Sequence, residues 1–161
     1  MDTYRQALQY MLHGAASLKD VDLFLGGTIS TNYDWRRELV QYIDQSISYY
    51  DPYLRNGESG DLDWDESMID LEAKAKEFAK LNIFVITSDM EGVYSIAEIT
   101  EAAMKLHSRT IVAIIDYDNK FNPRQKRSFG ACMKLWKSHG AIIAKDLHAM
   151  ARYINQYYYT H

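Results

Sequence analysis

Glu72 and Glu98 are the carboxylates whose placement raises a question of chemistry. Glu98 lies in "GVYSIAEITEAAMKL", residues 92–106, three positions after Ser95. This S-x-x-E spacing ahead of an apolar-periodic run is that of a capping box, in which the serine oxygen accepts from the N3 amide and the glutamate reaches back to the N-cap amide. The spacing leaves open whether Glu98 caps its helix or attacks a substrate. Glu72 stands four residues after Met68 and three before Ala75, along the apolar stripe of the preceding helical segment. A carboxylate there either marks the edge of the stripe or aims into a pocket.

Other motifs narrow the chemistry. "LGGTISTNYDWRREL", residues 25–39, opens with Gly26 and Gly27. Glycines at a strand end make a tight turn, or let a ligand approach the backbone before the next helix offers its amides. Neither G-x-G-x-x-G nor G-x-x-x-x-G-K occurs, so dinucleotide and P-loop readings fail. A receiver-type site would need an acidic pair where Gly26-Gly27 stand. Asp61, Asp63, Asp65 and Glu72 fall at positions one, three, five and twelve of a calcium loop, but Glu66 replaces the glycine at position six and no good helix precedes it. Residues 55–63 read instead as a mobile loop leading into a helix with an acidic first turn. The histidines, at 13, 107, 139, 148 and 161, lack metal-ligand spacing, and Cys132 reads as an inert packing residue. No metal and no cofactor are called for.

The elements that must position these residues follow from periodicity. Short apolar runs at 21–26, 46–50, 82–87, 110–116 and 140–144 read as strands, several of them apolar throughout, as in sheets covered on both faces. Helical patterns lie at about 33–44, 65–80, 95–107, 124–139 and 146–157, and an accessory helix precedes them at about 3–12 within residues 1–20. Strand–helix alternation predicts an α/β protein, a flavodoxin-like three-layer αβα sandwich with a five-stranded parallel sheet in the order 2-1-3-4-5. Ligands bind such sheets beyond the carboxyl ends of the strands, which directs attention to "GGTISTNYDW", "SDMEGVYS" and "DYDNKFNP".

At 161 residues the chain reads as one domain, 1–161, with a substantial core. A net charge of −4 offers no basic footprint for long nucleic acid, so a small ligand fits better. The single cysteine fits a reducing compartment, no apolar run is long enough to span a bilayer, and the first twenty residues lack signal-peptide character. These features predict a soluble cytoplasmic protein. The aromatic tail "YINQYYYT", 153–160, suits a subunit interface.

Taken together, "FLGGT", "DWRREL", "YYDP" and "NIFVITSDMEGVYSIAEI" resemble the nucleoside 2-deoxyribosyltransferase family, in its short bacterial and phage-type branch. The resemblance runs from about residue 21 to 116 and is most specific in "GVYSIAE". It implies a flavodoxin-like fold, a homodimer or larger oligomer, and cleavage of the N-glycosidic bond of a 2′-deoxynucleoside with transfer of the sugar to a free nucleobase. Some relatives instead hydrolyse nucleoside monophosphates, and a non-catalytic nucleotide-binding module of the same fold is a further alternative. By this resemblance Glu98 is the nucleophile that attacks C1′, ionised at a helix N-terminus, and Glu72 is the acidic residue of the preceding helix. Gly26, Gly27, Thr28, Trp35, Asp51, Met90, Gly92 and Ser95 fall at positions that bind substrate or shape the pocket. Many members carry an acidic residue six positions before the nucleophile, where this chain has Gly92, with Asp89 and Glu91 nearby.

Overall fold

Strand-forming side chains gather into one twisted sheet whose centre is buried on both faces. The computed structural model describes residues 3–55, 66–106 and 109–161. Its strands are β1 (Leu12–His13), β2 (Leu23–Gly27), β3 (Tyr49–Tyr50), β4 (Leu81–Thr87), β5 (Thr110–Ile115) and β6 (Ile142–Ala144). They lie in the order β1-β3-β2-β4-β5-β6. From β3 to β6 every pairing is parallel, and β1 adds an antiparallel edge against β3. The expected order 2-1-3-4-5 is therefore present, with a sixth strand on its outer edge.

All seven side chains of β4 are buried, because this strand sits mid-sheet with helices on both faces. On one face α1 (Thr3–Met11), α3 (Ser67–Phe78), α4 (Tyr94–Leu106) and α5 (Pro123–Ser138) close over Phe24, Phe84, Ile86 and Val112. On the other, α2 (Trp35–Val40) and α6 (Leu147–Thr160) close over Leu25, Ile83, Val85 and Ala113. Ala7 and Met11 of α1 are wholly buried in the first of these cores.

Local chemistry decides where the helices begin and end. Asn122 caps α5 in a full capping box with Gln125, and Pro123 occupies its first turn. Asp146 accepts from the Ala149 amide and caps α6. The helix expected over 33–44 stops at Val40. Beyond it the Asp44 carboxylate accepts from the Ser46 amide, while the Asp44 amide donates to Asn155 of α6, so the backbone finds partners outside a helix. Apart from Arg55, the expected 55–63 loop and the residues Asp61, Asp63 and Asp65 lie outside the described residues.

The glycine pair at the end of β2 is forced by geometry. Gly27 has φ +119°, and a Cβ there would stand 2.0 Å from the Val85 carbonyl oxygen. That same oxygen accepts from the Thr28 amide at 2.9 Å, so β2 and β4 meet too closely for any side chain. Gly27→Ala should cost about 3 kcal/mol or more, combining a strained backbone with a broken inter-strand contact. Urea denaturation measures it. A loss below about 1 kcal/mol would show that the turn relaxes readily.

Candidate active site

The floor of the site is β2. Phe24 and Gly26 point to the same face of the sheet, and a Cβ on Gly26 would lie 2.6 Å from the Phe84 ring and 2.8 Å from the Phe24 ring. A side chain at this position would both collide with the rings and fill the space above them. That space is a cleft of about 770 Å³ between α3 and α4. Ile69, Glu72 and Lys76 line it from α3, and Tyr94, Ser95 and Glu98 from α4. Ile29, Ile69 and Tyr94 are exposed apolar side chains around it, while Arg36, Glu72, Lys76 and Glu98 are more withdrawn from solvent.

Glu98 is tied to Lys76. Its Oε2 accepts from Lys76 Nζ at 2.7 Å, with the two side chains 9% and 17% exposed. The capping-box reading of Ser95 and Glu98 is corrected by this geometry. Helix α4 begins at Tyr94, so Ser95 lies inside the first turn and Glu98 two residues beyond the position the box requires. The positive charge beside the carboxylate is therefore an ammonium. The helix amides act mainly within the first turn and fall short of it.

The walls are held by a buried guanidinium. Arg36 of α2 is 2% exposed and spans the carboxyl end of β2. It donates to the carbonyls of Leu25 at 3.1 Å, Thr28 at 2.9 Å and Gly27 at 3.3 Å, and pairs with Asp51 at 3.4 Å. Burial pulls its pKa down to about 10, against the opposing charges of Asp51, Asp34 and Glu72. Asp51 also accepts from Arg55, which in turn makes a bidentate pair with Asp34 at 2.6 and 2.9 Å. The chain of charges fixes the ends of β2 and β3 to the start of α2.

A second, more polar cleft of about 970 Å³ adjoins the first at Ile29 and includes Ser30, Arg55, Asp89, Met90 and Lys120. Asp89 draws its loops together, accepting from Ser30 Oγ and from the Tyr117 hydroxyl, both at 2.7 Å. These bonds hold its carboxyl below the usual range.

The structure thus brings Glu98, Glu72, Ser95, Gly26 and Gly27 to one cleft and distributes the remaining expected residues around it. Thr28 is buried, its hydroxyl accepting from the Thr87 amide at 3.0 Å. Trp35 is buried on the opposite face, its indole donating to the Thr28 carbonyl at 2.9 Å. Asp51 is committed to Arg36 and Arg55, and Met90 lines the second cleft. Gly92 is exposed, with open space where a side chain would be. Sequence reasoning passed over Arg36 and Lys76. "DWRREL" carries an arginine that helix periodicity would have put beside Trp35, but nothing local marks it as buried.

Residues 20–118 match the model of a family described as nucleoside 2-deoxyribosyltransferase like. The chain belongs to this nucleoside 2-deoxyribosyltransferase-like family. The matched stretch contains β2 to β5, both helices that wall the cleft, and both carboxylates. No curated protein and no solved structure matches the chain. Among the described residues of this deoxyribosyltransferase-like protein, no helix is long and apolar enough to cross a membrane, and no group of three His, Cys, Asp or Glu could hold a metal ion.

The Asp34–Arg55 pair makes stability depend on pH. Burial pushes the Asp34 carboxyl up, but the hydrogen bond and charge of Arg55 and the Arg37 amide outweigh it and hold it below its ordinary value. The folded state then binds this proton less tightly than the unfolded chain does. The contribution is fully present above the unfolded carboxylate value of about 3.9 and is lost as pH falls through the lower folded value. Asp34→Asn should therefore lower Tm at neutral pH and narrow its gap from the native chain below about pH 4. An equal Tm difference at every pH would contradict the assignment.

Proposed function

We propose that the cleft between α3 and α4 carries out glycosyl transfer from a 2′-deoxynucleoside to a free nucleobase, with Glu98 as nucleophile. Glu98 Oε1 attacks C1′ from the face opposite the base. The N-glycosidic bond breaks, its electron pair leaves with the base, and Glu72 supplies the proton the base takes up. The product is a glycosyl ester on Glu98. A second nucleobase then attacks C1′ through a ring nitrogen and yields that nitrogen's proton to Glu72, and the electron pair of the ester bond returns to the carboxylate.

The observation that carries this proposal is a nearly buried carboxylate and a second glutamate lining one cleft in a chain of this family. The apolar surround of Ile29, Ile69 and Tyr94 suits the face of a nucleobase, and the charged interior suits a sugar whose positive charge grows in the transition state. Ser95 lines the same cleft as the nucleophile and offers its hydroxyl to the sugar.

Hydrolysis of a nucleoside 5′-monophosphate is the second reading. Open space at Gly92, where many members carry an acidic residue, favours it. Assembly into a homodimer or larger oligomer belongs to the same proposal, with Tyr153 and Tyr159 of α6 as exposed aromatic surface for a second copy.

Incubation with each deoxynucleoside and its monophosphate, with and without a second base, separates these readings. Transfer yields a new nucleoside only when the base is added, whereas hydrolysis releases free sugar without it. Binding without turnover would mean a non-catalytic module. Glu98→Gln keeps size and hydrogen bonding but not the attacking charge, so turnover should fall by about three orders of magnitude or more, while the chain stays folded with some loss of Tm because Lys76 loses its counter-charge. Glu72→Ala should lower turnover with little change in Tm. Glu98→Gln retaining activity within about tenfold of the native chain would remove Glu98 from the chemistry.

A further inference from the structure

The Lys76–Glu98 ion pair has an energetic consequence that depends on which state of the reaction it faces. Lys76 Nζ lies 2.7 Å from Oε2 of Glu98, across the cleft from α3 to α4, and both side chains are largely withdrawn from solvent. The ammonium also lies over the Phe24 ring, 5.7 Å from its centroid. Opposite charges so placed attract more strongly than at an open surface, because little water screens them. The contact uses Oε2 and leaves Oε1 to meet the sugar.

The carboxylate is charged in only part of the reaction. When Oε1 bonds to C1′ the charge on Glu98 is consumed, and the ammonium loses the anion it faced. When the ester breaks, the electron pair of the C1′–Oε1 bond returns to the carboxylate 2.7 Å from that ammonium. The pair therefore opposes formation of the glycosyl ester and favours its breakdown. An ammonium beside the departing oxygens does for this leaving group what a preorganised donor does for an oxyanion.

We propose that Lys76 is a positioning residue for the second half of the reaction: it holds Glu98 and makes its carboxylate a good leaving group, so that the glycosyl ester is short-lived. This inference rests on the transfer reading above and adds to it the step that Lys76 controls. In that step the acceptor nitrogen forms its bond to C1′, the C1′–Oε1 bond breaks, the electron pair goes to Glu98, and the acceptor proton goes to Glu72. No oxidant or further reactant is required.

The test is rapid quenching of the native chain, Lys76→Met and Lys76→Arg with a donor nucleoside, with and without a second base, followed by mass measurement of the Glu98 peptide. In Lys76→Met the ratio of glycosylated to free Glu98 at steady state should rise by about 10- to 100-fold, with turnover falling while the burst of released base is retained. Lys76→Arg should restore a low ratio, since it returns the charge. Melting curves establish that each variant is folded. If Lys76→Met is not, Lys76→Gln removes the charge while keeping the length and a donor, and the same accumulation is expected. A native chain that turns over while the folded uncharged variant shows no excess adduct overturns the role of Lys76 and leaves the transfer reading standing. A native chain that forms neither adduct nor product with any donor overturns the transfer reading, and the role of Lys76 falls with it.

Discussion

The Arg36 guanidinium is the constraint on which the upper end of this molecule depends. It sits where β2 runs on past the end of β3 and no strand remains on that side to satisfy the last carbonyls. There it donates to Leu25, Gly27 and Thr28 at once. Burying such a charge costs several kcal/mol unless it is fully hydrogen-bonded and paired. Three carbonyls, the Asp51 carboxylate and the face of Trp35, 4.4 Å away, meet that requirement. Because Asp51 follows β3 and Arg36 lies on α2, the same contacts fix three elements at one point. The turn at Gly27, the direction of the following loop and the mouth of the cleft are set by that point.

From this anchor the site follows by steps that are each local. Gly27 brings β2 against β4, Gly26 leaves the floor free of a side chain, and the parallel sheet sets α3 and α4 side by side above it. The helices carry carboxylates into the gap, and Lys76 offsets the charge of Glu98 there. A nearly buried carboxylate is costly in isolation and tolerable beside a cation. On the transfer reading, the pair that makes Glu98 tolerable in the folded state is also the pair that must be weakened to form the ester. Stability and reactivity are then opposed at one contact.

The strand order was legible because five apolar runs separated by helical patterns admit few right-handed arrangements. β1 was not, since "LH" carries no pattern of its own and becomes a strand only through its pairing with Tyr49 and Tyr50. The S-x-x-E spacing at Ser95 is compatible with a cap or a nucleophile, and the helix, beginning at Tyr94, leaves no cap there; the capping box that forms is Asn122 with Gln125. Glu72 could be placed on an apolar stripe from spacing, and it lines the cleft with Glu98. Lys76 could not be found that way, because its contact to Glu98 crosses twenty-two residues and depends on two helices meeting over the same strand. Thr28 and Trp35, which the resemblance puts at pocket-shaping positions, make hydrogen bonds that secure the turn at the end of β2.

The central claim is that a carboxylate on α4 carries the sugar between two displacements, and the stereochemistry at C1′ tests it most directly. Two successive inversions restore the original configuration, whereas a single direct displacement inverts it. The proton NMR spectrum of the first-formed nucleoside, taken with a β-deoxynucleoside donor and a second base, should show the β-anomer alone. An α-anomer as the initial product would contradict a glycosyl–Glu98 intermediate.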